Sequence, residues 1–365
     1  MTAQLAMLPL RALVFLLGLG LVYRALRAAI RTFVLPRSAA DPIILRVFRT
    51  LRRVFDWRLR RMATYAQRDA IMAMYAPVGL MLLVPVLLAV VLAGHMAMLW
   101  AVGGRPLTEP AAWSHAFAMS GSSLLTLGFE RGDGPAETLL SFSAAAMGMM
   151  LVALLIAYLP TIYAAFSARE KMVTLLEVRA GSPPSAIELL SRYQRLRRLD
   201  RLGELWPAWE GWFAEVQESH TSLAALVFFR SPLPEHSWVT AAGTVLDSAA
   251  LTLSTVDLPQ DVYAQMCLRA GYLALRRVAD FFQVPYNRDP HFPADPISIG
   301  RQDFDAAWES LERIGLPLRA DRDQAWQDFA GWRVNYDAVL LALCRMTMAP
   351  PAPWARAAAD PPPAA

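Results

Sequence analysis

Two long apolar runs dominate the hydrophobic pattern, and each is long enough to cross about 30 Å of bilayer hydrocarbon as a helix. They cover residues 71–100 and 138–166. Pro77 and Pro85 lie inside the first run, where bilayer helices tolerate proline as a kink. A third run, residues 5–23, is interrupted by Arg11 and is a weaker span. The pattern predicts a multi-pass membrane protein with an extra N-terminal helix.

A signal peptide is the competing interpretation of residues 5–23. No basic region precedes this run, however, and no A-x-A cleavage site follows it. We therefore expect a helix that is retained in the mature protein.

Arginine sets the expected orientation, because cytoplasmic loops carry an excess of basic residues. Residues 24–69 hold twelve arginines and three aspartates, so we expect this stretch in the cytoplasm. The run at 71–100 then leads outward and the run at 138–166 leads back, which makes residues 101–137 external. A second interpretation of the basic stretch is an interfacial helix on anionic lipid, since apolar residues recur there at helical spacing: Leu45, Phe48, Leu51, Phe55 and Leu59.

Composition agrees with the membrane assignment. Of the 365 residues, 56% are hydrophobic and 18% are charged, which is too apolar for an ordinary soluble protein of this size. The net charge of +4 is concentrated in one segment, so no nucleic-acid partner is expected. Cys267 and Cys344 lie far apart without a CxxC pair, which disfavours a disulfide framework or a structural zinc site.

The external segment contains a further helix-length piece. After Pro110 comes AAWSHAFAMSGSSLL, apolar enough to dip into the membrane, and it leads into TLGFE at residues 126–130. A pore domain has this order of elements: a span, a short re-entrant helix, an exposed backbone strip and a second span. Irregular backbone at membrane depth is tolerated only where it is buried in protein or lines a watery cavity. We therefore expect this strip to face water inside the membrane.

TLGFE resembles the potassium-channel filter sequence T-V-G-Y-G, which lies between a pore helix and an inner helix. The resemblance covers roughly residues 71–166 and implies the two-transmembrane pore fold, assembled as a homotetramer around a permeant monovalent cation, with K⁺ the expected ion. It further implies that the Thr126 hydroxyl and the backbone carbonyls of Leu127, Gly128 and Phe129 replace the hydration shell of the ion.

The resemblance extends into the second strong span. Gly148 lies where such channels often have a hinge glycine, and Pro160 lies where some carry a kink near the gate. Glycine and proline are both suited to bending a helix. The two residues are therefore candidates for a gating hinge.

Glu130 departs from the family pattern, because it replaces the second filter glycine. That glycine permits backbone angles that an L-residue adopts only with strain, so the outer ion site is expected to be widened or disordered. In a fourfold assembly four Glu130 carboxylates would ring the pore mouth, as in cation pores that use side chains as ligands. Asp133 is either a further charge at this mouth or a plain loop carboxylate. Selectivity for potassium is left open.

The motif by itself is short, and two alternatives to a conducting channel follow. The first is a non-conducting relative that keeps the pore fold as a scaffold or sensor for a cytoplasmic partner. The second is a membrane-anchored enzyme, which is disfavoured because no catalytic motif or metal-spaced His/Cys cluster is present. Glu215, Glu218 and His220 share a helix face, but a solvated charged face is favoured over acid–base or metal chemistry.

Residues around the loop have structural interpretations. His95 and Trp100, near the outer end of their span, are interpreted as interfacial anchors. His115 is expected to pack against a neighbouring helix rather than to titrate near the pore. Ser122, like Ser120 and Ser123, would either bond the filter backbone or bond back to its own helix.

From residue 170 the periodicity is helical throughout. Amphipathic stripes recur between segments rich in proline and glycine, and no alternation of strand and helix appears. The stripes are Leu190, Tyr193, Leu196, Leu199; Leu205, Trp209, Trp212, Val216; Phe304, Ala307, Trp308, Leu311, Ile314; and Trp326, Phe329, Arg333, Tyr336, Leu340, Leu343, with Arg333 as the exception.

The sequence thus predicts an all-α membrane protein in five parts: an N-terminal membrane helix (1–35), a basic cytoplasmic linker or interfacial helix (36–70), a pore-type transmembrane domain (71–169), an all-α cytoplasmic domain (170–348) and a disordered Pro/Ala tail (349–365). We expect it in the cell inner membrane, in contact with lipid, without enzymatic activity or cofactor. A cytoplasmic protein or a small molecule would be the regulator of the helical domain.

Overall fold

The structure, a computed structural model, describes residues 7–35, 41–103, 110–259 and 261–350. Over these residues the secondary structure is helical, which confirms the predicted all-α class, and the one β feature is an isolated bridge between Val256 and Leu318. Parts of the predicted linker and external loop, and nearly all of the predicted tail, lie outside the described residues.

Thirteen α-helices follow one another along the described chain. They are α1 (Leu8–Phe33), α2 (Pro42–Leu59), α3 (Tyr65–Ala73), α4 (Tyr75–Val102), α5 (Pro110–Leu124), α6 (Pro135–Ala180), α7 (Ala186–Arg195), α8 (Trp206–Ser222), α9 (Trp238–Thr255), α10 (Val262–Phe281), α11 (Arg301–Arg313), α12 (Arg322–Arg333) and α13 (Asp337–Thr347). Two 3₁₀ helices, Leu199–Glu204 and Ala224–Phe228, precede and follow α8.

Three segments within the described ranges are long and apolar enough to cross a membrane: Leu8–Phe33, Tyr65–Val102 and Pro135–Ala180. The two strong spans predicted from the sequence fall inside the second and third segments. The N-terminal run, which the sequence ranks lower because of Arg11, meets the same criterion, since its helix continues to Phe33. The chain therefore carries the helices expected of a multi-pass membrane protein.

The chain divides into two compact units. The first comprises Met1–Trp57 and Tyr75–Tyr163, and the second comprises Arg58–Met74 and Ala164–Ala365. Helix α6 contributes residues to both. Helix α3, which the sequence places in the basic linker, belongs to the second unit. The five-part division drawn from the sequence stays a prediction.

In the first unit, α1 packs on α4 through small residues. A Cβ added to Gly18 would lie 2.5 Å from the Gly94 carbonyl oxygen, and one added to Gly94 would lie 2.8 Å from the Gly18 carbonyl oxygen. The backbones meet because both positions lack a side chain, as in helix pairs packed within membranes. The same side of α1 continues with buried Val22, Ala25 and Ala29.

The second unit is built around α9, in which every residue is buried. Tryptophans of α8 (Trp206, Trp209 and Trp212) join this core, as their predicted stripe requires. The stripes predicted at residues 304–314 and 326–343 are likewise largely buried. The stripe at 190–199 is wrong at Leu196, which is exposed because α7 ends one residue earlier.

Arg333, the exception in its stripe, is buried in the core of the second unit. Its guanidinium pairs with Asp247 of α9 and donates from Nε to Asp337 at 2.7 Å. Burial alone would lower the pKa of Arg333, but the two carboxylates outweigh it and hold the pKa above its usual value. A buried charge is tolerated here because it is paired.

Candidate functional site

Helix α5 is the short helix predicted between the two strong spans. With 15 residues it is about 22 Å long, less than the roughly 30 Å of bilayer hydrocarbon. It packs against α4 through a buried cluster that includes Ala112, Ala116 and Met119. Its Trp113 ring stacks on Trp100 of α4 at 5.1 Å, and Ser120 Oγ donates to the Leu92 carbonyl.

Helix α5 ends in a Schellman motif with a threonine at the left-handed position. The Leu127 amide donates to the Ser122 carbonyl at 2.7 Å, and the Thr126 amide donates to the Ser123 carbonyl at 3.0 Å. This is the bond pattern that usually places glycine at the residue with positive φ. Thr126 takes φ 55°, although it is β-branched. A non-glycine residue held there costs about 1–3 kcal/mol.

The strip that follows, residues 126–129, leaves the helix and is exposed. Gly128 also has positive φ, at 72°, and a Cβ added there would meet nothing within 4 Å. Leu127 and Phe129 present 61% and 65% of their surface. Two left-handed residues separated by one position thus turn the backbone of residues 126–129 away from helical geometry, as the sequence predicts for TLGFE.

Glu130 ties the far end of the strip back to α5. Its amide donates to Ser122 Oγ at 3.0 Å, and its carboxylate Oε1 lies 2.9 Å from His115 Nδ1. His115 and Ser122 are seven residues apart and therefore share one face of α5. His115 bonds the loop, and its expected packing against a neighbouring helix stays a prediction. For Ser122, bonding to the strip backbone is the correct alternative.

Gly148 brings α6 against the start of the strip. A Cβ added at this glycine would lie 2.0 Å from the Leu124 carbonyl oxygen, at the last residue of α5. The helix backbone can approach that closely only where no side chain intervenes. Gly148 is thus a packing contact, and its predicted action as a hinge is a separate, untested property. Pro160 lies inside α6, which continues to Ala180.

Three other predicted positions are also placed. Asp133 is exposed, and its amide donates to Glu137 Oε2 at 2.9 Å, a bond that joins the loop to the first turn of α6. His95 and Trp100 are not interfacial anchors, because both are almost fully buried. His95 Nε2 lies 3.1 Å from Ser143 Oγ and so links α4 to α6.

In the second unit, Arg169 of α6 holds the 3₁₀ segment that follows α8. Its guanidinium donates to the Leu226 carbonyl at 2.9 Å and to the Phe229 carbonyl at 2.7 Å. It also pairs with Glu170 at 2.8 Å, and only 3% of Arg169 is exposed. The C-terminal part of α6 is therefore fixed to residues 226–230, which we call the junction segment.

The last residue of the junction segment, Arg230, holds α3. It pairs with Asp69 and donates to the Tyr65 hydroxyl at 3.2 Å. It also donates to the carbonyls of Thr347 and Met348, at the end of α13. One short segment thus binds both α3, which immediately precedes α4 in the chain, and the C-terminal part of α6.

The candidate acid–base trio is divided by burial. Glu215 and Glu218 are exposed as predicted, whereas His220 is buried and packs against Trp238, with ring centroids 4.5 Å apart and the ring planes tilted by 56°. Burial and the nearby Arg169 charge lower the pKa of His220 well below its usual value, so its ring is neutral at pH 7. Among the residues that the structure describes, no group of His, Cys, Asp and Glu side chains could hold a metal ion.

Comparison with known proteins finds no match: no family model, curated protein or solved structure resembles the chain.

Sequence reasoning missed Arg169 and Arg230. Both lie in apolar or proline-rich sequence, in YAAFSAREK and ALVFFRSPLP. An arginine next to buried aromatic residues requires a hydrogen-bond or ion-pair partner, because burying an unpaired charge is costly. The carbonyls that bind them follow only from the folded chain.

Proposed function

We propose that the protein is a potassium-channel-like cation channel of the inner membrane, formed by four copies around a common axis. In this proposal residues 126–129 line the path of a monovalent cation, with Thr126 offering its hydroxyl and the next three residues their carbonyls. Selectivity for potassium is left open, because Glu130 stands where the family has glycine.

The observation that carries the proposal is the geometry at the end of α5. A helix too short to span lies between two helices that are long enough, and it ends in a strip with two left-handed residues, Thr126 and Gly128. Strain of this kind at a non-glycine residue concentrates at functional sites. The strip is exposed on the subunit, and irregular backbone at membrane depth requires a watery path or a protein partner.

The contacts of Glu130 change the role that we propose for its carboxylate. A free carboxylate would contribute charge to the pore mouth, whereas this one is bound to His115 of its own chain. Each subunit would thus hold its own strip by a bond to α5, and the ring of four carboxylates would lie behind the ion path. Glu130 acts in this proposal as a positioning residue for the strip.

Control of opening by the second unit, which we call the helical unit, is a further part of the proposal. Val173, Leu176 and Ala180 of α6 belong to the hydrophobic core of the second unit. The junction segment joins the flanks of two spans, because it accepts hydrogen bonds from Arg169 of α6 and its own Arg230 pairs with Asp69 of α3. A rearrangement of this unit would therefore act on α3 and α6 together. A flexible glycine linker inserted at Ser167 is expected to abolish the effect of the helical unit on opening, and unchanged gating would contradict the coupling.

The experiment for conduction is potassium flux from liposomes that contain the purified protein. Wild-type protein is expected to release K⁺, and Gly128→Val is expected to abolish release, because valine cannot easily adopt φ 72°. Gly134→Val is the matched control, since Gly134 has open space around it and no positive φ. Flux that survives in Gly128→Val, or no flux in the wild type, would contradict the proposal.

One observation favours the alternative of a scaffold or sensor that binds a cytoplasmic partner. Helix α10 exposes Val262, Tyr263, Met266 and Leu273 on the helical unit. Exposed apolar residues along one helix are typical of a protein-binding face. A tetramer that is silent in single-channel recordings would favour this function over conduction.

A further inference from the structure

Helix α2 packs one part of its apolar side, around Phe48 and Phe55, against the rest of the first unit. Phe48 and Phe55 pack edge-on against Tyr75, with ring centroids 5.9 and 5.6 Å away, and the Tyr75 hydroxyl donates to the Phe48 carbonyl. Phe48 also fills the space at Gly79, where a Cβ would lie 2.4 Å from its ring. Two members of the apolar stripe, Phe48 and Phe55, are therefore packed against α4, whereas Leu45 is 40% exposed.

The opposite side of α2 is basic and exposed. Arg46, Arg49 and Arg53 recur at intervals of three and four residues and so share one face, roughly 140° around the helix from Phe48 and Phe55. The one carboxylate of α2, Asp56, is bound by Arg52 at 2.9 Å. No carboxylate of the helix is thus left to neutralise this face.

Two large apolar side chains border the basic face. Val54 and Trp57 each have 56% of their surface exposed. An exposed tryptophan beside arginines is typical of a helix lying in the boundary between lipid headgroups and acyl chains.

The place of α2 in the chain agrees with a lipid partner. It lies between two candidate spans, Leu8–Phe33 and Tyr65–Val102, and within the arginine-rich stretch that the positive-inside rule assigns to the cytoplasmic leaflet. That leaflet carries anionic lipid, which attracts basic segments close to the membrane.

We propose that α2 is a binding surface for anionic phospholipids, in which Arg46, Arg49 and Arg53 hold the headgroup phosphates while Val54 and Trp57 enter the apolar boundary. Each arginine near the surface is worth roughly fivefold in affinity, so the three together are worth on the order of 100-fold. This proposal does not depend on ion conduction, because lipid binding is measured without it.

The test uses the full-length protein in nanodiscs of phosphatidylcholine mixed with phosphatidylglycerol, with lipid retained after extraction counted by native mass spectrometry. Wild-type protein is expected to retain phosphatidylglycerol above its bulk fraction, and the triple variant Arg46→Gln, Arg49→Gln, Arg53→Gln is expected to lose this enrichment. The matched control removes the same charge from exposed arginines of the helical unit, with Arg269→Gln, Arg277→Gln, Arg313→Gln.

Three outcomes would overturn the proposal. One is equal enrichment in the wild type and the glutamine variant, and another is loss in the control variant as well. The third is displacement of the retained phosphatidylglycerol by millimolar inorganic phosphate as effectively as by added phosphatidylglycerol. That result would indicate a site for small anions. Replacing the three arginines by lysine is expected to keep the enrichment, because the attraction is electrostatic, and so separates charge from misfolding.

Discussion

Replacing Gly148 by alanine tests the packing of α6 against the end of α5. The new methyl group would lie 2.0 Å from the Leu124 carbonyl oxygen and 3.0 Å from the Leu124 carbonyl carbon. These are backbone atoms, so no side-chain rotation relieves the clash. Alanine in place of glycine favours a helix by about 1 kcal/mol, whereas overpacking costs about 1–3 kcal/mol and more when backbone must move. We expect a net loss of stability of about 1–2 kcal/mol.

The assay is thermal unfolding of the purified protein in nanodiscs, with Gly121→Ala and Gly20→Ala as controls. Gly121 has its nearest neighbour at 3.8 Å, and Gly20 has none within 4 Å, so both controls are expected to unfold at or above the wild-type temperature. If Gly148 acted as a hinge without packing against Leu124, Gly148→Ala would instead alter opening and leave the stability unchanged. That result would refute the contact between α6 and the start of the strip.

Three further predictions concern the strip and the junction segment. Thr126→Gly is expected to stabilise the protein by about 1 kcal/mol, because it relieves the left-handed threonine, yet to reduce ion flux; a loss of stability in thermal unfolding would contradict the strain. Glu130→Gln can keep its hydrogen bond to His115 and should preserve most of the ion flux, whereas Glu130→Ala removes the bond and should lower the flux. Equal losses of flux in the liposome assay would indicate that the charge of Glu130 matters and not its hydrogen bond. Arg230→Gln leaves the buried Asp69 carboxylate unpaired and should destabilise the protein by about 3 kcal/mol in thermal unfolding. The control Arg269→Gln is expected to cost less than about 0.5 kcal/mol. Equal effects of the two substitutions would contradict the Arg230 contacts.

The spans and the amphipathic helices were predictable because each follows from a local pattern. A run of apolar residues or a 3.6-residue period decides the helix by itself, and α4, α6, α8, α11 and α12 have such patterns. Helix α9 has none, since a helix buried on all sides shows no polar face. Its place at the centre of the second unit follows only from the packing around it.

The site was predictable in position and only partly in contacts. Residues 126–130 stand out because glycine and threonine follow a short apolar helix, and the structure ends α5 just before them. The bond from His115 to Glu130 joins residues 15 apart, and the turn that brings them together depends on the φ angle of Thr126. The partners of Arg169 and Arg230 are more distant still, and long-range contacts to carbonyls leave no periodic signal in a sequence.

The most direct measurement for the central claim is an electron cryo-microscopy map of the protein in nanodiscs. We expect four subunits around one axis, with the backbone of residues 126–129 facing that axis at a depth inside the bilayer. A lone subunit, or a strip lying on the outer surface of the membrane, would contradict ion conduction through this loop.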